Sequence, residues 1–182
     1  TLHSRVVDYL KSNDEKSWAF IVHRLDRETS GVMIFSKHKR NKEYLQEQFA
    51  NRQVHRVYHA LVEGKPESNN GTIREWLLED KFLRVKSVNS NHPQAREAIT
   101  HYNVQDFDEF ASLVQLTIET GRRHQIRVGL ANLGTPVVGD EAHGAEGNPI
   151  GRIALHASSL EFLHPETDDP VRFEAPIPFG PE

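Results

Sequence analysis

The chain of 182 residues is expected to fold as an α+β domain built on a largely antiparallel or mixed sheet with flanking helices and loops around a central cleft. Two observations predict this: strand-like segments outnumber helical ones, and they follow one another in runs instead of alternating with helices. A third narrows the class, since no dinucleotide or phosphate-loop fingerprint is present.

Taken in order, Val6, Val7 and Leu10 form a short helical face near the start. Trp18 to Val22 and Val32 to Phe35 are strand-like and flank the polar stretch His23 to Ser30. Asn41 to Arg52 is expected to be a helix, with Tyr44, Leu45, Gln48 and Phe49 on one side. Val54 to Val62 is rich in β-formers and ends at the turn residue Gly64. Further strands are expected at Thr72 to Leu78, Phe82 to Val88, Ala98 to Val104 and Ser112 to Glu119, with a polar loop over Asn89 to Pro93. A helix follows near Gly121, where Ile126, Leu130 and Leu133 recur at helical spacing. Thr120 is placed to cap its start, and Gly134 with Pro136 to stop it. Ile153 to Phe162 and Val171 to Glu174 return to strand.

Residues 1–182 are expected to form one domain and to act as a monomer; a further domain upstream of Thr1 is compatible with the sequence. No apolar run approaches the roughly 20 residues of a membrane-spanning helix. The absence of cysteine excludes disulfides, thiolate nucleophiles and thiolate metal sites, and it fits a reducing, cytoplasmic setting. The net charge is −4, yet Val22 to Ala60 carries eight Lys/Arg against four Asp/Glu. Gly121 to Leu130 adds three Arg and no acid. Segregation of this kind can focus a positive field within an acidic protein.

Three segments concentrate chemistry. His23-Arg-Leu-Asp-Arg-Glu-Thr-Ser-Gly31 sets four charged residues and a His between two apolar strands, where strand ends can hold reactive groups. Alone it is equally a solvated turn held by ion pairs, and Asp26 with Glu28 could be read as a glycosidase carboxyl pair. Only Trp18 and Trp76 would then serve as sugar-stacking platforms. Arg56 to Gly64 is an alternating strand with Tyr58, Ala60 and Val62 on one face. Thr120-Gly-Arg-Arg-His-Gln-Ile-Arg127 is the most basic segment. Its three Arg at a helix start, with Arg123 and Arg127 one turn apart, are expected to form an anion site.

These segments together resemble the RluA-type RNA pseudouridine synthases. His23 to Gly31 is similar to the family signature HRLDxxTSG at every defined position, and the likeness continues to Lys37. Arg56 to Gly64 resembles the family strand K/R-x-Y-x-A-x-V-x-G, and Thr120 to Arg127 resembles TGRxHQIR. Leu133 to Asp140 is like LGxPIxGD, and Leu155-His-Ala157 and Leu163-His-Pro165 extend the agreement. Two departures stand out: Gly129 where relatives commonly carry His, and Ala142-His143 where a pair with Tyr is usual.

The resemblance implies isomerisation of uridine in ribosomal or transfer RNA, with Asp26 as the essential carboxylate. It also implies Tyr58 packed against the base and Arg127 paired with Asp26. Arg24, Arg27, Arg122, Arg123 and His124 would contact RNA or brace the site, with Arg24 filling the space the base vacates. The reaction is redox-neutral and needs no external energy, so neither cofactor nor metal is expected. An adjacent Arg favours the charged form of the Asp, and the base must be flipped out of its stack. A non-catalytic RNA-binding module of the same fold is the alternative, and so is an unrelated scaffold with a basic surface.

Overall fold

The computed structural model describes residues 1–181. Among the described residues three α-helices occur: α1 (Leu2–Asn13), α2 (Lys39–Ala50) and α3 (Gln125–Asn132). The first strands are short, β1 (Phe20–Ile21), β2 (Ser30–Gly31) and β3 (Phe35–Ser36). The long ones are β4 (His55–Glu63), β5 (Asn70–Glu79), β7 (Arg96–Phe107), β8 (Ala111–Ile118) and β9 (Leu155–Leu163). Shorter partners are β6 (Val85–Val88) and β10 (Pro170–Glu174).

The main sheet has eight strands in the order β10-β9-β4-β8-β7-β5-β6, with β2 also on β9. Every pairing is antiparallel except β2 with β9, which is parallel, so the expected mixed α+β sheet is what forms. β1 and β3 make a separate two-stranded ribbon.

Three expected strands are shorter than their composition promises. Val32 to Phe35 yields only its last residue, in Phe35–Ser36. Trp18 to Val22 yields only Phe20–Ile21, because the chain then leaves the ribbon for the polar loop. Phe82 to Val88 begins at Val85: the Asp80 carboxylate accepts hydrogen bonds from the Phe82 and Arg84 amides at 2.8 and 3.0 Å, folding residues 80–84 into a turn. Local side-chain capture of backbone amides has overridden β-propensity there.

The core explains how the two halves are held. Leu130 and Ile126 of α3 pack with Ala60 and Val62 of β4 and with Val114 and Leu116 of β8. Burial of Leu130, fully enclosed, contributes about 2 kcal/mol. Leu45 of α2 packs separately with Val22, Val54, Leu160 and Phe162. Thus α2 anchors the β9–β10 end and α3 the β5–β7 end, with β4 and β8 between them. Gly129 belongs to this packing: a Cβ there would come within 3.2–3.3 Å of Glu75 and Ile73 on β5. The departure from the commoner His is therefore matched by a close helix–sheet approach.

Candidate active site

The loop over residues 22–29 is fixed at both ends. At its start, His23 stacks on Phe49 with ring centroids 4.9 Å apart, and its Nε2 accepts a hydrogen bond from the Ile34 amide at 3.0 Å. Burial, reinforced by the nearby Arg56 charge, lowers the His23 pKa to about 4, so the ring is neutral and acts as a structural acceptor. At its end, Ser30 bonds His156 at 2.8 Å. Gly31 adopts φ 120°, and a Cβ there would lie 2.1 Å from the Ala157 carbonyl oxygen. Only glycine permits β2 to sit on β9 in this way. Between these anchors, the Thr29 amide donates to the Asp26 carbonyl at 2.9 Å and closes a tight turn.

The opposing segment, residues 119–127, is organised by Gln125. Its amide oxygen accepts from the Thr120 hydroxyl (2.7 Å) and the Arg122 amide (3.1 Å), while its NH2 donates to the Ile99 carbonyl and the Thr120-adjacent strand hydroxyl of Thr100, both at 2.9 Å. The amide's hydrogen-bonding capacity is thereby filled in a buried position. Thr120 does not cap the helix as expected. The N-cap is His124, at φ 56° and without a side-chain cap, and Thr120 instead secures the loop. Arg122 and Arg123 consequently precede α3, and Arg127 alone of the three lies in the helix. The expected pairing of Arg123 and Arg127 on one helical face is replaced by divergence: Arg123 reaches Glu79 at 3.3 Å, whereas Arg127 points to carboxylates.

Arg127 is the centre of the arrangement. Its Nε and Nη2 donate to Asp140 at 2.7 and 2.8 Å, and its Nη1 donates to Asp26 at 3.3 Å. The side chains of Arg127, Asp140 and Asp26 are 9%, 1% and 23% exposed. Burial disfavours the guanidinium charge, but the bonds and charge of Asp140, followed by those of Asp26, outweigh it and raise the Arg127 pKa.

Asp26 lies where an inner recess of about 80 Å³ meets a cleft of about 860 Å³. Tyr58, Arg56 and Leu155 line the recess. Burial foremost raises the Tyr58 pKa, keeping a neutral phenol beside the carboxylate. Arg24, Arg27, Arg122, Arg123 and His124 line the outer cleft. The structure thus gathers all eight residues singled out from sequence, drawn from three separated segments, around one opening. The surplus of five guanidinium groups over the carboxylates of Asp26, Glu28 and Glu79 suits it to an anionic ligand. Among the described residues no cluster of His, Asp and Glu has the makings of a metal site, and no helix is long and apolar enough to cross a membrane.

Four participants were not identified from sequence. Asp140 was visible only as part of a resemblance, yet it carries the shortest bonds to Arg127. Arg56 lies 5.4 Å over the Phe49 ring and occupies the space left by Gly121, whose added Cβ would come 2.9 Å from the Arg56 Nη1. Gln125 was hidden because a polar residue in a helical run signals solvent. His143 bonds His124 at 3.1 Å with the rings edge to face. Burial, with Arg127 next for His124, lowers the pKa of His124, and burial also lowers that of His143.

Comparison with known proteins agrees with this architecture. The profile of a family described as RNA pseudouridylate synthase matches residues 1–132. The chain is 38% identical over 180 residues to YhcT of Bacillus subtilis (strain 168), described as an uncharacterized RNA pseudouridine synthase, covering 98% of this chain and 59% of the relative. It is also 38% identical over 174 residues to ribosomal large subunit pseudouridine synthase D of Xanthomonas campestris pv. campestris, covering 88% of this chain and 52% of that one. The chain therefore spans little more than half the length of these relatives. Among solved structures, human RNA Pseudouridylate Synthase Domain Containing 1 superposes with a TM-score of 0.79 at 26% identity, over 93% of this chain and 73% of its own. Human RNA Pseudouridylate Synthase Domain Containing 4 shares the fold, with a TM-score of 0.80 at 24% identity over 96% and 78% of the two chains. A profile covering most of the chain, relatives alike along nearly all of it, and the same sheet in solved structures give one conclusion: this chain belongs to the RNA pseudouridylate synthase family.

Proposed function

We propose that this chain isomerises specific uridines in RNA to pseudouridine, with Asp26 as the catalytic carboxylate. The observation that carries the reading is the position of Asp26, 3.3 Å from Arg127 at the mouth of a recess walled by Tyr58. In the reaction the N1–C1′ bond breaks, the uracil turns, and C5 bonds to C1′. A proton leaves C5 and one is taken up at N1, so atoms and charge balance without a redox partner. A base stacked in RNA cannot reach the recess, and flipping it out costs a few kcal/mol. Stacking on the Tyr58 ring and phosphate contacts from Arg24, Arg27, Arg122 and Arg123 offset that cost. Arg24, beside Asp26 on both recess and cleft, is sited to fill the gap left in the RNA.

Ribosomal RNA is the favoured substrate class, because one relative of comparable similarity is named as a large-subunit ribosomal enzyme. A monomer working on RNA in the cytoplasm completes the reading. The alternative, an RNA-binding module without activity, would not need a carboxylate at the recess mouth. Asp26→Asn separates the two: pseudouridine formation in ribosomal RNA should fall on the order of 10⁴-fold, as when an essential reacting group is removed, with RNA affinity largely retained. Near-normal turnover by this variant would refute the assignment.

A further inference from the structure

Outside the cleft, a second groove of about 410 Å³ runs along the β5–β7 end of the sheet. Gln94, Arg96, Arg122 and Arg123 form its polar side together with Glu79, which pairs with Arg123, and Leu77 and Val85 contribute apolar surface. It shares Glu79, Gly121, Arg122 and Arg123 with the cleft that holds Asp26, so the two open into each other.

Two guanidinium groups line this junction from separate elements: Arg96 opens β7, and Arg122 lies in the loop before α3. The Arg122 side chain is pinned by donation from its Nε to the Glu97 carbonyl at 3.0 Å, which leaves its terminal nitrogens to point elsewhere. The two nearby carboxylates are engaged by other arginines, Glu97 by Arg74 and Glu79 by Arg123. Among the described residues, neither Arg96 nor Arg122 forms an ion pair. Like charges held side by side repel in the free molecule, and an arriving anion relieves that repulsion.

We propose that Arg96 and Arg122 form a phosphodiester site for the RNA strand flanking the flipped nucleotide, so that the second groove guides that strand away from Asp26. The proposal rests on the isomerase reading for the meaning of "flipped", but its binding chemistry is separately measurable. The anion is a phosphate, supplied by a strand and not by a free ion, because the groove is continuous with the cleft and has apolar surface suited to a ribose or base edge.

The test is the salt dependence of polyuridylate binding by the full chain. Loss of one phosphate contact on a single strand makes the slope of log K against log salt shallower by about 0.7. Arg96→Ser should therefore flatten the slope by roughly 0.7 and weaken binding at low salt, whereas Arg96→Lys, which keeps the charge, should retain most of the slope. Arg172→Ser, removing a charge already paired with Glu174 on β10, provides the control and should bind like the parent. Arg96 is exposed, so the variants should fold; circular dichroism checks this. An unchanged slope in Arg96→Ser overturns the proposal. So does inorganic phosphate displacing polyuridylate from the parent and from Arg96→Ser equally well. If the parent binds with the expected slope and Arg96→Ser flattens it, but the parent forms no pseudouridine in ribosomal RNA, the strand site stands and the isomerase reading falls. If pseudouridine forms and Arg96→Ser keeps the parent slope, the reverse holds.

Discussion

Asp140 and Asp26 approach one guanidinium under opposite conditions. Asp140 is 1% exposed and bonded through both oxygens at 2.7 and 2.8 Å, whereas Asp26 is 23% exposed and touches Arg127 once, at 3.3 Å. The buried pair has bidentate geometry, the arrangement in which Arg–carboxylate recognition is strongest and most directional. It fixes where the guanidinium points. The outer contact is long and partly solvated, which leaves lone pairs of Asp26 facing the recess. One carboxylate holds and the other is free to react. Asymmetry of this kind cannot be read from residue type, because both are aspartates in charged, glycine-containing segments.

The largest effect should follow from removing the group they share. Arg127→Met leaves Asp140 as an uncompensated buried charge, and breaking such a pair costs about 3–5 kcal/mol. The same variant withdraws the cation beside Asp26, and its rate should fall severely, on the order of 10³-fold or about 4 kcal/mol of barrier. Denaturant unfolding and single-turnover assays on ribosomal RNA measure the two losses separately. A near-normal rate with lowered stability would leave Arg127 a purely structural role.

Asp140→Asn sharpens the contrast by disturbing only the holding side. An amide presents an NH2 where one carboxylate oxygen had accepted, setting donor against donor at the Arg127 fork. We expect a stability loss of about 2–3 kcal/mol from the poorly satisfied buried guanidinium. The rate should fall roughly tenfold to a hundredfold, equivalent to about 1.4–2.8 kcal/mol. Asp26→Asn should show the reverse profile, a far greater loss of rate with little loss of stability. Identical profiles for the two Asn variants would erase the distinction.

How much of this was legible in sequence follows from the range of each interaction. Strands β5 and β8 alternate along most of their length, and alternation reports a half-buried pleat directly. β4, β7 and β9 are legible from their β-forming composition instead, since β9 is buried almost continuously. β6 was overextended because the turn at Asp80 depends on a carboxylate capturing two amides, which apolar composition does not register. The gathering of Asp26, Tyr58 and Arg127 was reached through resemblance, since nothing in their spacing brings residues so far apart in sequence to one opening. The helix start was misplaced because Thr120 looks like a cap, whereas Gln125 recruits it from within the buried loop. Asp140 stayed without a role because its partner lies 13 residues away across a turn.

The same division between a holding and an exposed group recurs in two histidines, and it provides the subtlest test. His124 sits on the cleft and shares a hydrogen bond with His143, while His23 anchors the start of the Asp26 loop against Phe49 and the Ile34 amide. With a folded pKa of about 4 against 6.5 in the unfolded chain, His23 takes up a proton on unfolding at any pH between those values. The unfolded state then binds more protons, so stability falls as pH drops below 6.5 and levels off near 4; above 6.5 it is unaffected. Between pH 6.5 and 5 this group alone should cost about 2 kcal/mol, at 1.36 kcal/mol per unit. Carboxylates titrate toward the acid end of the same window, so the variant comparison isolates the histidine. His23→Gln should be less stable than the parent at pH 7.5, since it loses the stack on Phe49, but the gap should narrow by that amount at pH 5. Parallel stability curves for the two proteins would mean that His23 is protonated within the fold, and the Ile34 amide would then need another acceptor.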